Sequence, residues 1–458
     1  MRTSINDLLQ LLSARGPMAS PALQAALGIS QPTVSRLIRD AGSRVLRLGR
    51  GRNSRYAAVR EIPGVGTGAQ LYVVDSNGTP AAVGEITALA GTVPFVVQAE
   101  EKWLLGEAGN GEFPGLPYFL HDLRPQGFLG RQIANLLAEQ QGVYSGNPEK
   151  WSDDQVFRYL YSHGAELPGN LIVGDTALNA FLSTERTPVR DRGETYPVLA
   201  TRILADGDFG SSAGGEQPKF TAYTEDAGNV IVKFSPAGET PEAVRWRDLL
   251  IAEHHALSIL ADLGLPVAEC ELYQFGGRVF LESRRFDREG TSGRQAAVSL
   301  AALDAEFAGE GEHWIRSARG LHDARVVSQS TLDQIRLAHT YGLWIANSDM
   351  HLGNLTLVPE GNIFRLHPVY DMVPMRLAPQ RGELVNVELA PPLRNADNFD
   401  LWEQAGAYAV RFWRRLCDDE RVSESMRKLA AEHATRCQAV LVGWDESHQT
   451  YPDPLVRW

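Results

Sequence analysis

The 458-residue sequence has few of the features that mark secreted or membrane proteins. Only three cysteines occur, Cys270, Cys417 and Cys437, and none has C-x-x-C spacing. This pattern excludes a disulfide scaffold and gives no sign of structural zinc. No run of about 18 apolar residues is present, so no membrane span is expected, and the N-terminal M-R-T-S-I-N-D lacks the apolar core of a secretory signal. These absences predict a reduced cytoplasmic protein.

Acidic residues are scarce at the start of the chain. Residues 1–60 contain ten arginines and two aspartates, a net charge of +8, whereas the remaining residues carry −20 of the total of −12. A basic head on an acidic body indicates an anionic polymer as the partner of the head alone. The composition is that of a globular protein, and the length leaves room for two to four domains.

The basic head has the sequence pattern of short helices followed by a hairpin. Apolar spacing predicts a helix over 5–13. Ser20 as N-cap with Pro21 as the first helical residue predicts a second helix, and Ser30 as N-cap predicts a third after a turn at 28–29. The segment after Gly42 reads as a β-hairpin. Together they predict a winged helix-turn-helix over 1–62 that contacts duplex DNA through the third helix and the hairpin tip. The residues expected to contact DNA are Gln31, Thr33, Ser35, Arg36, Arg50, Arg52 and Arg55. A three-helix interaction module with a solvated basic face is the alternative.

A short polar stretch near the C-terminal third, N-S-D-M-H-L-G-N at 347–354, places Asp349, His351 and Asn354 close together. An acid at this spacing from an amide can orient a hydroxyl nucleophile while the amide holds a divalent metal. The octapeptide alone is equally compatible with a polar surface turn. The following residues, two β-rich runs around P-E-G-N, predict a hairpin that brings Asp371 back to Asn354. Asp349 is therefore a candidate base, and Asn354 and Asp371 are candidate magnesium ligands.

The chain also contains candidates for the phosphate-binding half of such a site. Residues 209–221, F-G-S-S-A-G-G-E-Q-P-K-F-T, combine small residues, hydroxyls and a lysine, although they match neither common nucleotide-binding glycine motif. Lys233 then lies in a predicted strand, and Glu253 lies in a predicted helix where a partner carboxylate would be found. Taken singly, Lys233 could be an ordinary strand-edge lysine and Glu253 an ordinary helical acid. Their order along the chain is that of a protein-kinase site.

These motifs, with L-P-Y-F-L-H-D-L-R-P-Q-G, V-K-F, R-R-F-D-R and V-Y-D-M, resemble the HipA family of bacterial serine/threonine kinases, toxins of type II toxin–antitoxin modules. The resemblance covers roughly residues 67–440. It implies a β-rich subdomain (67–185), a nucleotide-binding lobe (190–290) and a helical lobe (291–458). With the winged helix-turn-helix (1–62) predicted above, the expected fold class is α+β. The resemblance also implies ATP and Mg²⁺ as cofactors. The implied catalytic residues are Asp349 and His351, the implied metal ligands are Asn354 and Asp371, and the implied nucleotide-binding residues are Ser212, Gly214, Gly215, Gln217, Lys219, Lys233, Glu253, Arg285 and Phe286.

The same resemblance implies autophosphorylation at Ser212, with Ser211 as the neighbouring alternative. Phosphate there would oppose the phosphates of ATP and shut off the kinase. The sequence departs from the family at Arg284, where an acid is usual before the hinge arginine, so hinge contacts with adenine are expected through the backbone. A second departure is the DNA-binding head, which the classical arrangement places on a separate antitoxin.

Three functions are compatible with these residues. The first is an ATP- and magnesium-dependent serine/threonine protein kinase with a DNA-binding head for autoregulation, acting as a homodimer on a palindrome. Its protein substrate is unspecified by the sequence, and an aminoacyl-tRNA synthetase is implied by the family resemblance alone. The second is a small-molecule phosphotransferase. The third is a nucleotide-sensing transcription regulator without kinase activity.

Overall fold

The chain forms mixed helical and sheet structure that divides into two compact units. The computed structural model describes residues 3–205, 217–311, 313–380, 382–384 and 387–449. The first unit comprises Met1–Gln126, Ile133–Glu185 and Gly293–Ala296; the second comprises Gly127–Gln132, Arg186–Ser292 and Ala297–Trp458.

The helices of the described residues alternate with short strands along the chain. The α-helices are α1 (Ile5–Arg15), α2 (Ser20–Leu27), α3 (Gln31–Ala41), α4 (Gly127–Gln141), α5 (Asp153–His163), α6 (Gly174–Ser183), α7 (Arg192–Ala205), α8 (Pro241–Asp262), α9 (Leu300–Phe307), α10 (Trp314–Asp323), α11 (Gln329–Trp344), α12 (Trp402–Asp418) and α13 (Glu424–Gln449). Within the described ranges, none of these helices is long and apolar enough to cross a membrane.

The strands form several small antiparallel sheets. They are β1 (Met18–Ala19), β2 (Val45–Leu48), β3 (Arg55–Ala58), β4 (Gly68–Val74), β5 (Pro80–Ala88), β6 (Phe95–Ala99), β7 (Glu112–Phe113), β8 (Leu171–Val173), β9 (Lys219–Thr224), β10 (Gly228–Phe234), β11 (Cys270–Phe275), β12 (Arg278–Arg284), β13 (Arg288–Glu289), β14 (Gly293–Arg294), β15 (Val298–Ser299), β16 (Thr356–Glu360) and β17 (Ile363–Leu366).

In the first unit, helices α1 to α3 pack over a sheet of order β1-β3-β2. Ser4 begins α1 with a reciprocal capping box to Asp7, and Gly28 ends α2 in the left-handed conformation (φ 65°) that glycine adopts without strain. Two expectations for this region were wrong in detail. Ser20 is the first residue of α2, with Ala19 at the N-cap, and Arg55 is the first residue of β3 instead of lying at the hairpin tip.

The basic head shares a hydrophobic core with the β-rich segment that follows it. Leu48 and Ala57, from the two hairpin strands, are buried against Leu89 and Val96. The backbone continues the contact, because the amide of Ala90 donates to the carbonyl of Ala58 at 2.8 Å. Residues 1–60 therefore have a core of their own, which includes Leu12, Leu23 and Val34, and a second cluster at the hairpin that the β-rich segment completes.

The β-rich segment forms a five-stranded sheet of order β7-β6-β5-β4-β8. The D-S-N-G turn at 75–78 joins β4 to β5, and the Asp75 carboxylate accepts the amides of Asn77 and Thr79 at 2.9 and 2.8 Å. Strand β8 interrupts the helices between residues 127 and 183 and pairs with β4. Its sequence, L-I-V, is too short for periodicity to distinguish strand from helix.

The second unit places a four-stranded sheet of order β11-β12-β10-β9 beside the long helix α8. Tyr196, Phe220, Val232, Phe234 and Phe280 form a buried core on this sheet. The rest of the unit consists mainly of α9 to α13, with the small sheet β15-β16-β17, in which β16 and β17 follow the 347–354 loop.

Two buried histidines among the C-terminal helices predict that the folded protein becomes less stable in acid. Burial lowers the pKa of both His339 and His433 to about 4. The unfolded chain binds these protons below about pH 6.5, whereas the folded chain binds them only near pH 4. Acidification across this window therefore favours unfolding, and at about 1.4 kcal/mol per pKa unit the two sites together cost several kcal/mol.

We expect the urea unfolding free energy to fall between pH 7 and pH 5, and we expect His339→Gln to reduce that fall. The exposed His121 provides the control, because His121→Gln should leave the pH dependence unchanged. Equal pH dependence in wild type and His339→Gln would show that this histidine does not cause the sensitivity.

Candidate active site

A buried lysine joins two carboxylates at the centre of the second unit. Lys233, on β10, donates from Nζ to both carboxylate oxygens of Glu253 on α8, at 2.7 and 2.9 Å. The same ammonium bonds to the carboxylate of Asp371. Lys233 and Glu253 are 8% and 1% exposed, so this is a buried ion cluster and not a surface pair. The structure thus brings Lys233 and Glu253 together with Asp371, which lies 138 positions after Lys233 in the sequence.

The charges in this cluster depend on one another. Burial alone would lower the pKa of Lys233, but Asp371 and Glu253 outweigh it and raise that pKa. Burial raises the pKa of the Glu253 carboxyl, and Lys233 offsets only part of the effect. Burial also opposes ionisation of Asp371, yet Lys233 and then Lys219 lower the pKa of Asp371. The cluster therefore keeps a cationic lysine beside an anionic Asp371.

Backbone strain marks the segment that carries Asp371. Asp371 has φ 57°, a left-handed conformation that residues other than glycine rarely adopt. The buried Asn347 lies against this segment, with its amide nitrogen 3.4 Å from the Asp371 carbonyl, and its amide oxygen accepts the backbone N–H of Asp349 at 3.0 Å. Asn347 thus connects the two acids, a role that sequence reasoning missed. Its position at the start of N-S-D was the available signal.

The 347–354 loop is fixed by contacts to its backbone. The Asn354 amide nitrogen donates to the Asp349 carbonyl at 2.6 Å, which closes the loop between the two residues. The indole N–H of Trp314, at the start of α10, donates to the His351 carbonyl at 2.8 Å. The side chains of Asp349 and His351 are exposed, whereas Asn354 is buried. The loop therefore presents an acid to solvent on a well-supported backbone, and Trp314 was not identified from the sequence.

The predicted hairpin follows Asn354 and leads to Asp371. Strand β16 pairs with β17 from Leu357↔Leu366 to Glu360↔Ile363. The four-residue turn expected over P-E-G-N was wrong, because Pro359 and Glu360 belong to β16 and the chain reverses at Gly361, whose φ is 62°. A glycine with positive φ supplies the tight reversal that a two-residue hairpin loop requires.

The oxygen donors at this site are compatible with magnesium. The described residues contain no group of three or more His, Cys, Asp or Glu side chains that could hold a metal ion alone. Mg²⁺ commonly uses one or two protein oxygens together with substrate phosphates. The Asn354 amide nitrogen donates to the Asp349 carbonyl, so its amide oxygen is the atom that could serve as a hard donor. Asp371 offers a carboxylate, and Asn347 links the backbone of Asp371 to that of Asp349. Asn354 and Asp371 fit Mg²⁺ held jointly with a nucleotide.

The phosphate-binding segment is described only at its C-terminal end. Lys219 begins β9 and lies opposite Lys233 in the sheet register. The side-chain nitrogen of Gln217 is buried and has no hydrogen-bond partner among the described residues. The other predicted residues of this segment, Ser211, Ser212, Gly214 and Gly215, lie outside the described residues.

The segment predicted to contact adenine is held by its own side chains. The guanidinium of Arg285 bonds to both carboxylate oxygens of Asp287 at 2.9 and 2.7 Å. The ring of Phe286 packs against His367 and Tyr370, with centroid distances of 4.8 and 5.6 Å. The backbone amide of Arg285 is also bonded, to the carbonyl of Asn229 at 2.9 Å. A role for Arg285 and Phe286 in binding nucleotide remains a prediction.

The predicted DNA-contacting residues of the first unit are mostly exposed. Gln31, Ser35 and Arg36 are exposed on α3, and the hydroxyl of Thr33 lies 3.0 Å from that of Ser30. Between β2 and β3, Arg50 is exposed, and Arg52 lies in the same connection. Arg55 differs from these residues because its guanidinium pairs with Glu112 in the β-rich segment.

Comparison with known proteins identifies the class to which this fold and site belong. The HipA-like C-terminal domain matches residues 211–441, which include the lysine cluster and the 347–354 loop, and the middle domain of YjjJ-like toxins matches residues 65–182. The chain belongs to the HipA family of toxins, as the sequence motifs predicted.

A curated relative agrees with the family assignment, and a solved HipA structure agrees with the fold. The chain is 36% identical over 447 residues to Toxin YjjJ of Escherichia coli (strain K12), covering 93% of this chain and 96% of that protein. The solved complex of Shewanella oneidensis MR-1 HipA with HipB and its operator DNA shares the fold at 17% identity, with a TM-score of 0.55 over 84% of this chain and all of that chain. The Helicobacter pylori proinflammatory kinase CtkA aligns with a TM-score of only 0.37 at 13% identity, over 54% of this chain and 96% of that chain.

Proposed function

We propose that this chain is an ATP- and Mg²⁺-dependent serine/threonine protein kinase whose N-terminal head binds DNA. The observation that carries the proposal is the buried Lys233–Glu253 pair beside Asp371 and the 347–354 loop. A kinase requires a strand lysine paired with a helical glutamate, an Asp that orients the hydroxyl nucleophile, and Asn and Asp ligands for magnesium.

Each residue has a defined task in this reaction. The exposed carboxylate of Asp349 accepts the proton of a substrate hydroxyl as that oxygen attacks the γ-phosphorus of ATP, and the bond to the β–γ bridging oxygen breaks to release ADP. Lys233, held by Glu253, binds phosphate oxygens, while Asn354 and Asp371 are the residues that would hold Mg²⁺. The metal supplies charge neutralisation on the phosphates. Asp371 would hold Mg²⁺ through the carboxylate that bonds Lys233 in this structure.

The molecule that accepts the γ-phosphate of ATP distinguishes a protein kinase from a small-molecule phosphotransferase and from a nucleotide-sensing regulator. We expect full-length protein incubated with γ-labelled ATP and Mg²⁺ to transfer label to serine or threonine of a protein acceptor. Label in sugars or other small molecules, with none in protein, would favour a small-molecule phosphotransferase. ATP binding without any transfer would favour a nucleotide-sensing regulator.

The proposed DNA-binding head is a winged helix-turn-helix. The order α1-β1-α2-α3-β2-β3 and the exposed polar face of α3 support this proposal. The HipA relative was solved with HipB and its operator DNA, whereas here a basic head is part of the same chain. We infer that the chain binds its own operator, as a homodimer on a two-fold site, without needing a separate DNA-binding partner.

Full-length protein should lose DNA affinity uniformly across sequences when phosphate contacts are removed. We expect Arg50→Ala to weaken binding and to reduce the slope of log K against log salt by roughly 0.9 per contact. Replacing Gln31 should instead change sequence preference by about 1–3 kcal/mol if it contacts a base edge. Gel-shift titrations at several salt concentrations measure both effects.

Arg414→Ala is the matched control, since it removes the same charge from an exposed position on α12. Unchanged DNA binding by Arg50→Ala together with Arg36→Ala would refute the proposed DNA-binding face. Full-length protein is required because the head shares its core with the segment at 89–96.

We expect the protein to phosphorylate its own glycine-rich segment, residues 209–221. Active protein should carry phosphate on Ser212 or Ser211, and Asp349→Ala protein should lack it. Ser212→Asp should bind ATP more weakly, because its negative charge opposes the incoming phosphates. Phosphopeptide mapping with label only at other sites, together with unchanged ATP affinity of Ser212→Asp, would contradict this regulatory role.

A further inference from the structure

Helix α8 carries a row of polar residues on a face distinct from that of Glu253. Asp248, His255 and Asp262 recur every seven residues, which places them along one side of the helix, two turns apart. Glu253 follows Asp248 by five residues, so its side chain projects about 140° away around the axis. One helix thus has separate faces for Lys233 and for another partner.

That partner is the corner between α12 and α13 together with the end of α12. The Asp248 carboxylate accepts the backbone N–H of Ser423 at 2.8 Å and its hydroxyl at 2.6 Å. His255 Nε2 lies 2.8 Å from a carboxylate oxygen of Asp419. Further along, Asp262 accepts from Arg411 at 2.8 Å and Arg415 at 3.2 Å. We call these three sets of contacts the α8 seam.

The contacts of the α8 seam constrain the position of α8 most where their side chains are buried. Asp248 is 1% exposed, so its carboxylate depends on Ser423 for the hydrogen bonds that water would otherwise supply. The side chains of His255 and Asp419 are 15% and 10% exposed, whereas Asp262 is 39% exposed and its ion pairs are screened by solvent. The positional constraint on α8 therefore comes mainly from Ser423 and Asp419.

We propose that Ser423 and Asp419 are positioning residues for nucleotide binding, acting through α8 on Glu253. Because the α8 seam contacts α8 on both sides of residue 253, it fixes the rotation of the helix about its axis and its position along that axis. Glu253 is then held against Lys233, which keeps the lysine aimed at phosphate. The inference rests on the proposed kinase function for its consequence, but the mechanical coupling can be measured without it.

The test compares two serines at helix N-termini in full-length protein. Ser423 caps α13 through the Met426 amide at 3.3 Å and also bonds Asp248, whereas Ser152 caps α5 with a capping box in the first unit. Ser423→Ala removes the cap and the hydroxyl bond to Asp248, while the backbone N–H bond to Asp248 remains. Ser152→Ala removes a cap alone. We expect Ser423→Ala to raise the KM for ATP about tenfold with little change in kcat. Ser152→Ala should leave KM unchanged, and Ser423→Thr, which retains a hydroxyl, should restore it.

A double-variant cycle distinguishes positioning from general destabilisation. If the seam acts through Glu253, Ser423→Ala should not raise KM further in a Glu253→Gln background. Multiplicative effects of the two substitutions on KM, or equal KM values for Ser423→Ala and Ser152→Ala, would overturn the proposal.

Hydrogen exchange provides a readout that does not require activity. Peptides from 248–260 should exchange faster in Ser423→Ala than in wild type or Ser152→Ala, since α8 loses a restraint. If the wild type transfers no phosphate, the kinase proposal fails while the exchange result still decides whether the seam restrains α8. Unchanged exchange in α8 would overturn the seam whatever the activity.

Discussion

Asp349→Ala protein is expected to bind Mg-ATP with wild-type affinity yet transfer phosphate roughly 10²–10⁴-fold more slowly, which is the usual contribution of a positioned general base. Its side chain is exposed, and the Asn354 bond is accepted by its backbone carbonyl, so the substitution should spare the loop. Nucleotide titration and initial transfer rates, measured on the same preparation, separate binding from chemistry. A transfer rate equal to wild type would remove Asp349 from the mechanism.

Asp371→Ala provides the comparison at the proposed metal ligand. This variant should lose transfer and also lose the Mg²⁺ dependence of ATP binding, because it removes a carboxylate oxygen from the metal site. Asp333→Ala, at a half-exposed aspartate of α11, is the matched control and should change neither property. Mg²⁺-dependent ATP binding that persists in Asp371→Ala would place the metal elsewhere.

The second large effect is expected at the buried lysine. Lys233→Met should destabilise the protein by about 3–5 kcal/mol, since it leaves the Glu253 carboxyl buried without its cation. Lys233→Met combined with Glu253→Leu should recover most of that stability, because an apolar pair of similar size avoids the desolvation cost. Neither variant should bind ATP, since both lack the phosphate-binding ammonium.

Urea unfolding and ATP titration of these variants separate the structural role of the pair from its functional role. Lys428→Met, on the exposed side of α13, is the matched control and should be neutral in both measurements. Wild-type ATP affinity in the Lys233→Met and Glu253→Leu double variant would show that the lysine serves stability alone.

The parts of the site that were predictable from sequence are those set by local pattern. The hairpin after Asn354 follows from two β-rich runs around a glycine, and its antiparallel pairing returns the chain toward Asp371. Lys233 in a strand and Glu253 in a helix each follow from the apolar residues around them. Their contact required the order of motifs along the chain, because nothing local distinguishes either residue from a surface charge.

The parts that were not predictable depend on contacts between distant segments. The left-handed backbone of Asp371 has no local sign, since an aspartate favours other conformations unless its surroundings impose this one. The indole bond from Trp314 to His351 likewise joins two segments 37 residues apart. Tertiary packing decides both features, and periodicity carries no information about them.

The contacts between the basic head and the β-rich segment were also not predictable from the sequence. Alternation in β2 and β3 predicts a hairpin, but it cannot show that Leu48 and Ala57 are covered by Leu89 and Val96. The arginine count correctly indicates a basic head, yet it cannot show that Arg55 pairs with Glu112 while Arg50 remains exposed. Charge in the sequence is therefore an upper limit on the charge that the head presents to a ligand.

The most direct test of the kinase assignment is the fate of the γ-phosphate of ATP. Full-length wild type and Asp349→Ala are incubated in parallel with Mg²⁺ and γ-labelled ATP, and the label is located by mass spectrometry and counted as protein-bound or free phosphate. We expect label on serine or threonine hydroxyls of protein in the wild type and its near absence in Asp349→Ala. Wild-type protein that leaves the label on ATP, or equal protein-bound label in the two samples, would contradict the kinase assignment.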